Sequence, residues 1–178
     1  MSTLRYFRRL LFASCLAFQL PPFAQQSLAS SASWQVYFSP RGGATSAIVQ
    51  TIDDAKSTVL VQAYSFTSEP IAEALAKANG RGVDVQVLLD KSQRTQKYTA
   101  THLLIQAGIS VLIDGSHAIA HNKIIIIDNE TVIKGSFNFT KAVEERNAEN
   151  LLIIRNKGLA ILYIDNWRNH KSHSTPIR

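Results

Sequence analysis

Between residues 121 and 150 the sequence HNKIIIIDNETVIKGSFNFTKAVEERNAEN gathers side chains able to attack or hold an anion. His121 and Lys123 stand two apart, so on an extended chain they share a face. An imidazole can act as nucleophile or base, and an ammonium beside it can hold a negatively charged oxygen. Asp128 follows the lysine by five residues, and Gly135-Ser136-Phe137-Asn138 comes next, with Glu149 closing the stretch. Ser136 and Asn138, again two apart, are small hydrogen-bond donors, and Gly135 adds no bulk. Small polar donors before a helix start suit phosphate oxygens. Together these residues read as a site that attacks or holds a phosphate.

Local elements must bring them together. Ile124 to Ile127 form a β-branched apolar run, the pattern of a strand buried on both faces. Asp128-Asn129-Glu130 reads as a turn and Thr131-Val132-Ile133 as the returning strand. The return carries Gly135, Ser136 and Asn138 back toward His121.

The complete pattern His-x-Lys-x4-Asp-x6-Gly-Ser-x-Asn resembles the signature of the phospholipase D superfamily. Residues 33–170 as a whole are similar to its small bacterial members, single-motif endonucleases that act without a metal. Tyr64-Ser65-Phe66-Thr67 and Leu88-Leu89-Asp90-Lys91-Ser92 also resemble segments of that subfamily. The resemblance implies that His121 is a nucleophile forming a phosphohistidine, with Lys123 and Asn138 on the non-bridging oxygens and Ser136 assisting. It makes Glu149 the partner of the His121 ring and gives Asp128 a structural or orienting role. Larger relatives carry the motif twice in one chain, whereas this sequence has one His-x-Lys. The resemblance therefore implies a homodimer with the active site on its two-fold axis, one histidine attacking while the other serves as acid and base.

The rest of the chain reads as support. Residues 1–29 have a basic start (Arg5, Arg8, Arg9), an apolar stretch from Leu10 to Leu20, and Ser27-Leu28-Ala29 as a small-x-small cleavage signal. They are expected to be a secretory signal peptide cleaved after Ala29 or Ala24, with an uncleaved anchor as the alternative; cleavage places the protein in the periplasm or outside the cell, with no stable membrane insertion. Loss of these residues removes Cys15, the only cysteine, and lowers the formal charge from +6 to +3. That charge is too mild to identify a polyanion ligand, so any basic patch must be local.

Residues 30–178 are long enough for one domain with a sizeable core. Expected strands are Trp34–Phe38, Ser57–Ala63, Val83–Leu89, Ile109–Ile113 and Leu151–Ile154, besides the two of the motif segment. Expected helices are Ala44–Ala55, Glu69–Ala78, Tyr98–Ala107 and Leu159–His170. This alternation argues for an α/β fold, a mixed, mostly parallel sheet flanked by helices, in a single domain. Lys91, Arg94 and Lys97 follow a strand end and either grip a polyanion backbone or form a solvated loop. Trp34 and Trp167 read as core, His102 as structural and His117 as a loop residue. His170 and His173 lie in a polar tail, where no specific role is expected. No His/Cys/carboxylate cluster has metal-ligand spacing, so neither metal nor cofactor is expected. The function expected is sequence-nonspecific cleavage of nucleic acid, DNA or RNA. The alternatives are a lipid phosphodiesterase of the phospholipase D type, disfavoured because no exposed apolar surface is evident, and a non-catalytic polyanion-binding protein.

Overall fold

A computed structural model describes residues 32–96 and 99–177; the expected signal segment lies outside the described residues, as do Lys97 and Tyr98. In chain order the elements are β1 (Ser33–Ser39), α1 (Ala44–Asp53), β2 (Thr58–Ala63), α2 (Glu69–Gly80), β3 (Asp84–Asp90) and α3 (Thr101–Gln106). There follow β4 (Ser110–Asp114), β5 (Lys123–Ile127), β6 (Thr131–Gly135), α4 (Lys141–Glu145), β7 (Glu149–Arg155), α5 (Lys157–Ser172) and β8 (Thr175–Pro176). A 3-10 turn at Lys91–Arg94 follows β3.

The eight strands form one sheet in the order β1-β7-β6-β5-β2-β3-β4-β8. The expected mixed sheet flanked by helices is present, with its parallel part confined to β2, β3 and β4. The remaining five pairings are antiparallel. The reason is connection length: helices link β2, β3 and β4, whereas β5 turns back into β6 through three residues.

Two apolar layers enclose the sheet. On one face α1, α2 and α3 pack Ile48, Ile52, Ile71, Leu75 and Leu104 against Val59, Val61, Ile125 and Ile127. On the other, α5 packs Ala160, Ile164 and Trp167 against Leu60, Leu88, Ile124, Ile126 and Val132. The four isoleucines of β5 divide between these layers, which is why the run carries no polar residue. Trp167 is buried and its indole N–H donates to the Val61 carbonyl (3.0 Å). Trp34 departs from expectation. It is 68% exposed, because β1 is an edge strand whose outward residues Trp34, Val36 and Phe38 lie beyond the cover of α5.

Asp128 and Asn129 make the β5–β6 turn with φ of 52° and 55°, a left-handed conformation that Asp and Asn tolerate better than most residues. The short helix α4 is started by Thr140, whose hydroxyl accepts from the Val143 N–H (3.3 Å). Glu144 of α4 reaches the start of α1, where its carboxylate accepts from the Gly43 and Thr45 N–H groups (3.1 and 2.8 Å). Among the described residues no helix is long and apolar enough to cross a membrane.

Candidate active site

Strand directions decide which residues meet. The end of β2, the starts of β5 and β7, and the end of β6 all lie on one rim of the sheet. The Tyr64 N–H donates to the Asn122 carbonyl (2.9 Å), carrying the β2–β5 ladder one step past the strands. At this point the loop brings in His121, which is exposed, with its ring 4.6 Å from that of Tyr64.

Lys123 opens β5 and is only 7% exposed. Its Nζ donates to the His121 carbonyl (3.0 Å) and lies 5.3 Å from the centre of the Tyr64 ring. Burial pulls its pKa below the ordinary lysine value, and the negative charge of Glu149 partly offsets this. Glu149, Lys123 and Gly135 point toward the same helical layer, by strand alternation with Leu151, Ile125 and Ile133. The expected bond from Glu149 to the His121 ring is not formed among the described residues; the carboxylate instead acts electrostatically on Lys123.

Gly135 is required sterically. A Cβ there would lie 2.1 Å from the Asn150 carbonyl oxygen on β7. The next residue, Ser136, uses this close approach: its Oγ accepts from the Asn150 backbone N–H (3.1 Å) and from Asn150 Nδ2 (3.2 Å). Both bonds use the oxygen as acceptor, which leaves the hydroxyl proton free for a ligand. Asn138 Oδ1 is buried without a hydrogen-bond partner among the described residues. The loop then bonds to the segment after β2, with Thr67 and Ser68 N–H donating to the Phe139 carbonyl (both 2.9 Å).

Asp128 is not on this rim. The whole of β5 separates it from His121, roughly 16 Å at the usual rise per residue. Its carboxylate accepts from the backbone N–H groups of Lys56, Ser57 and Thr58 and from the Ser57 hydroxyl (2.7–3.0 Å). Burial opposes its ionisation, but these bonds prevail and hold its pKa below the usual carboxylate value. Asp128 thus anchors the start of β2 from the far end of β5 and does not face His121.

A cleft of about 440 Å³ reaches His121 from the α5 side, lined by Asn122, Ile124, Lys134, Leu159, Leu162 and Tyr163 among others. Lys134 and Tyr64 are site residues that motif reading passes over. Tyr64 is visible in the sequence only as part of a less specific segment, and Lys134 only by alternation along β6. Leu162 is exposed at the cleft, and Ile161 and Ile119 are exposed nearby in sequence to the lining and to His121. The expectation of no exposed apolar surface is therefore corrected, because the outer side of α5 is not evident until its packed face is known.

Of the basic residues after β3, Lys91 donates to the His117 carbonyl (2.9 Å) and Arg94 to the Thr175 hydroxyl (2.7 Å), so both brace the fold. His102 stays local, with Nδ1 3.1 Å from the Thr99 carbonyl. His117 lies in the loop after β4 as expected, but the expectation of no specific role for His170 and His173 is corrected. His117, His170 and His173 surround the buried Asp114 carboxylate, a grouping of metal-ligating types that sequence spacing does not reveal.

Comparison with known proteins places this geometry among relatives. Residues 48–170 match the family model described as "Cardiolipin synthase, PLD-like domain". A Rickettsia felis protein named "Phospholipase D" is 42% identical over 169 residues, covering 94% of this chain and 84% of its own. The crystal structure of a phospholipase D family member, Nuc from Salmonella typhimurium, superposes with a TM-score of 0.79 at 38% identity, over 83% of this chain and 99% of that one. NucT from Helicobacter pylori shares the fold, with a TM-score of 0.75 at 22% identity, over 82% of this chain and 99% of its own.

Proposed function

The chain belongs to the phospholipase D superfamily, and from that premise we propose that it is an endonuclease cutting DNA or RNA through a phosphohistidine on His121. Membership and the named relatives support phosphodiester hydrolysis as the reaction class. The reading rests above all on one arrangement: exposed His121 beside buried Lys123, with the Ser136 hydroxyl keeping its proton for a ligand on the same rim.

The chemistry needs no metal in the reaction. A His121 nitrogen attacks phosphorus, and the bond from phosphorus to the leaving oxygen breaks. Lys123, Ser136 and Asn138 stabilise the charge that develops on the non-bridging oxygens. The leaving oxygen takes a proton from the protonated His121 of a second copy of the chain. That imidazole, now neutral, removes a proton from water as the water oxygen attacks the phosphohistidine and frees His121. The two-fold arrangement is proposed because one chain holds a single His-x-Lys. Among the described residues the rim carries no base-reading element, which supports cutting that depends little on sequence. Export to the periplasm or beyond is proposed from residues 1–29.

The second reading, a lipid phosphodiesterase, is favoured by exposed Leu162 at the cleft and Ile161 beside it, and by the name of the Rickettsia felis relative. One experiment separates the two. Purified protein is incubated at 25 °C in excess EDTA with supercoiled plasmid, and separately with phosphatidylcholine or cardiolipin vesicles, beside His121→Ala. Nicking that persists in EDTA and falls at least about a thousandfold in the variant is expected, given the usual cost of losing a nucleophile. Headgroup release without nicking would replace the nuclease reading with the lipid one. Full activity in His121→Ala would overturn the mechanism.

A further inference from the structure

Away from the catalytic rim, the end of β4 and the end of α5 meet around a single carboxylate. Asp114 is the last residue of β4, and its side chain is 1% exposed. His117 follows in the loop, while His170 lies in the last turn of α5 and His173 just past it. The side chains become more open in the order His170 (12%), His173 (30%) and His117 (45%), so the group is rooted in the core and reachable from solvent.

The geometry points to a zinc site, and we propose that Asp114, His117, His170 and His173 together bind one divalent zinc ion. Each offers one ligand atom, and the four atoms lie within 4.8 Å of one another. Tetrahedral zinc with bonds of about 2.0–2.2 Å needs ligand atoms about 3.3–3.5 Å apart. The contacts to Asp114 already approach this: His170 Nδ1 at 2.7 Å, His117 Nδ1 at 3.0 Å and His173 Nε2 at 3.4 Å. Small side-chain rotations close the remaining gaps.

Hydrogen bonding alone leaves the group unfinished. His117 and His170 both approach Oδ2 of Asp114, and His173 Nε2 is buried with no hydrogen-bond partner among the described residues. Three imidazole rings crowd with centroids 4.8–5.6 Å apart. A cation that accepts a lone pair from each ring satisfies all three at once. Three imidazoles and one carboxylate suit zinc in a closed, structural site. The ion would pin the loop between β4 and β5, which carries His121, to the C-terminal end of α5. It would act from outside the reaction, so this proposal stands independently of the substrate cut.

The test uses untagged full-length protein stripped with EDTA and dialysed free of it. Zinc is then titrated, with bound metal measured by mass spectrometry and stability by thermal denaturation; cobalt is added in parallel. One zinc per chain is expected, with a rise in Tm of about 5–10 °C at a hundredfold excess over Kd. Cobalt should give the visible absorption of a tetrahedral ion. His170→Ala and His173→Ala combined should abolish all three signals, while His121→Ala keeps them; circular dichroism checks that each variant is folded. Wild-type protein that holds no zinc above a buffer blank and shows no change in Tm would overturn the proposal. So would undiminished binding by the folded double variant. The four side chains would then be a hydrogen-bonded network only.

Discussion

Lys123 is an ammonium placed where a folded protein seldom places one. Its pKa lies below the ordinary lysine value because burial disfavours the charged form more than Glu149 favours it. The charged lysine is therefore less at home in the folded state than in the unfolded state. That cost is fully present below the folded pKa and disappears as pH rises through it toward the unfolded value near 10.5. Lys123→Met should thus raise Tm at pH 7 by about 2–4 °C for each kcal/mol recovered, a gain that shrinks as pH rises toward the unfolded value of 10.5. It should also remove phosphodiester cleavage, a trade of stability against function. Calorimetry across pH, beside a nicking assay, checks both; a variant less stable at pH 7 would refute the account. His121, Lys123, Ser136 and Asn138 could be singled out in the sequence because they fall at fixed spacing in one short segment whose two strands fold back on each other. Their surroundings were not. The contact of Tyr64 with His121 and the action of Glu149 on Lys123 arise between strands far apart in the chain.

At the scale of elements, Asp128 shows how a motif residue can serve the chemistry from a distance. Its carboxylate ties the β5–β6 turn to the start of β2, fixing one end of the strand whose other end carries Lys123. Its folded pKa is depressed, so its contribution is present above the unfolded carboxylate value and lost as pH falls through the folded one. Asp128→Asn should lower stability at pH 7 by about 1–2 kcal/mol, allowing for partial solvent screening. The gap between variant and wild type should narrow as pH falls below the unfolded value of 3.8. Urea denaturation at pH 7 and pH 3 measures it, and an unchanged gap would exclude the charge as its source. Apolar periodicity located β2, β3, β5, α1, α2 and α5 to within a few residues, since each buries one face or two. The sequence reading expects a helix to begin just after Asn138, where α4 lies, without giving its bounds, and it misses β8. Both are short, and β8 is defined by its pairing with β4 rather than by a pattern of its own.

For the whole molecule, the single motif sets the expectation. If two chains share one site, His121→Ala subunits mixed in excess with wild type should lower activity in proportion to mixed pairs. Sedimentation should give twice the chain mass. A fully active monomer on dilution would refute the shared site. The exposed stripe of Trp34, Val36 and Phe38 offers apolar surface for such pairing. The grouping of His117, His170 and His173 around Asp114 could not be read in advance, because Asp114 and His170 are 56 residues apart and only the folded sheet brings them together.

The two residues of β8 pair with Leu112 and Ile113 of β4, and the Ile177 N–H continues the contact to the Val111 carbonyl (3.1 Å). A chain shortened to residue 172 would keep every helix, yet leave the backbone of β4 bare at the sheet's edge. An uncovered row of amide and carbonyl groups on an apolar strand is a template for pairing with other chains. These last few residues therefore act as a guard against aggregation, in a protein whose opposite edge is already lined with aromatic side chains.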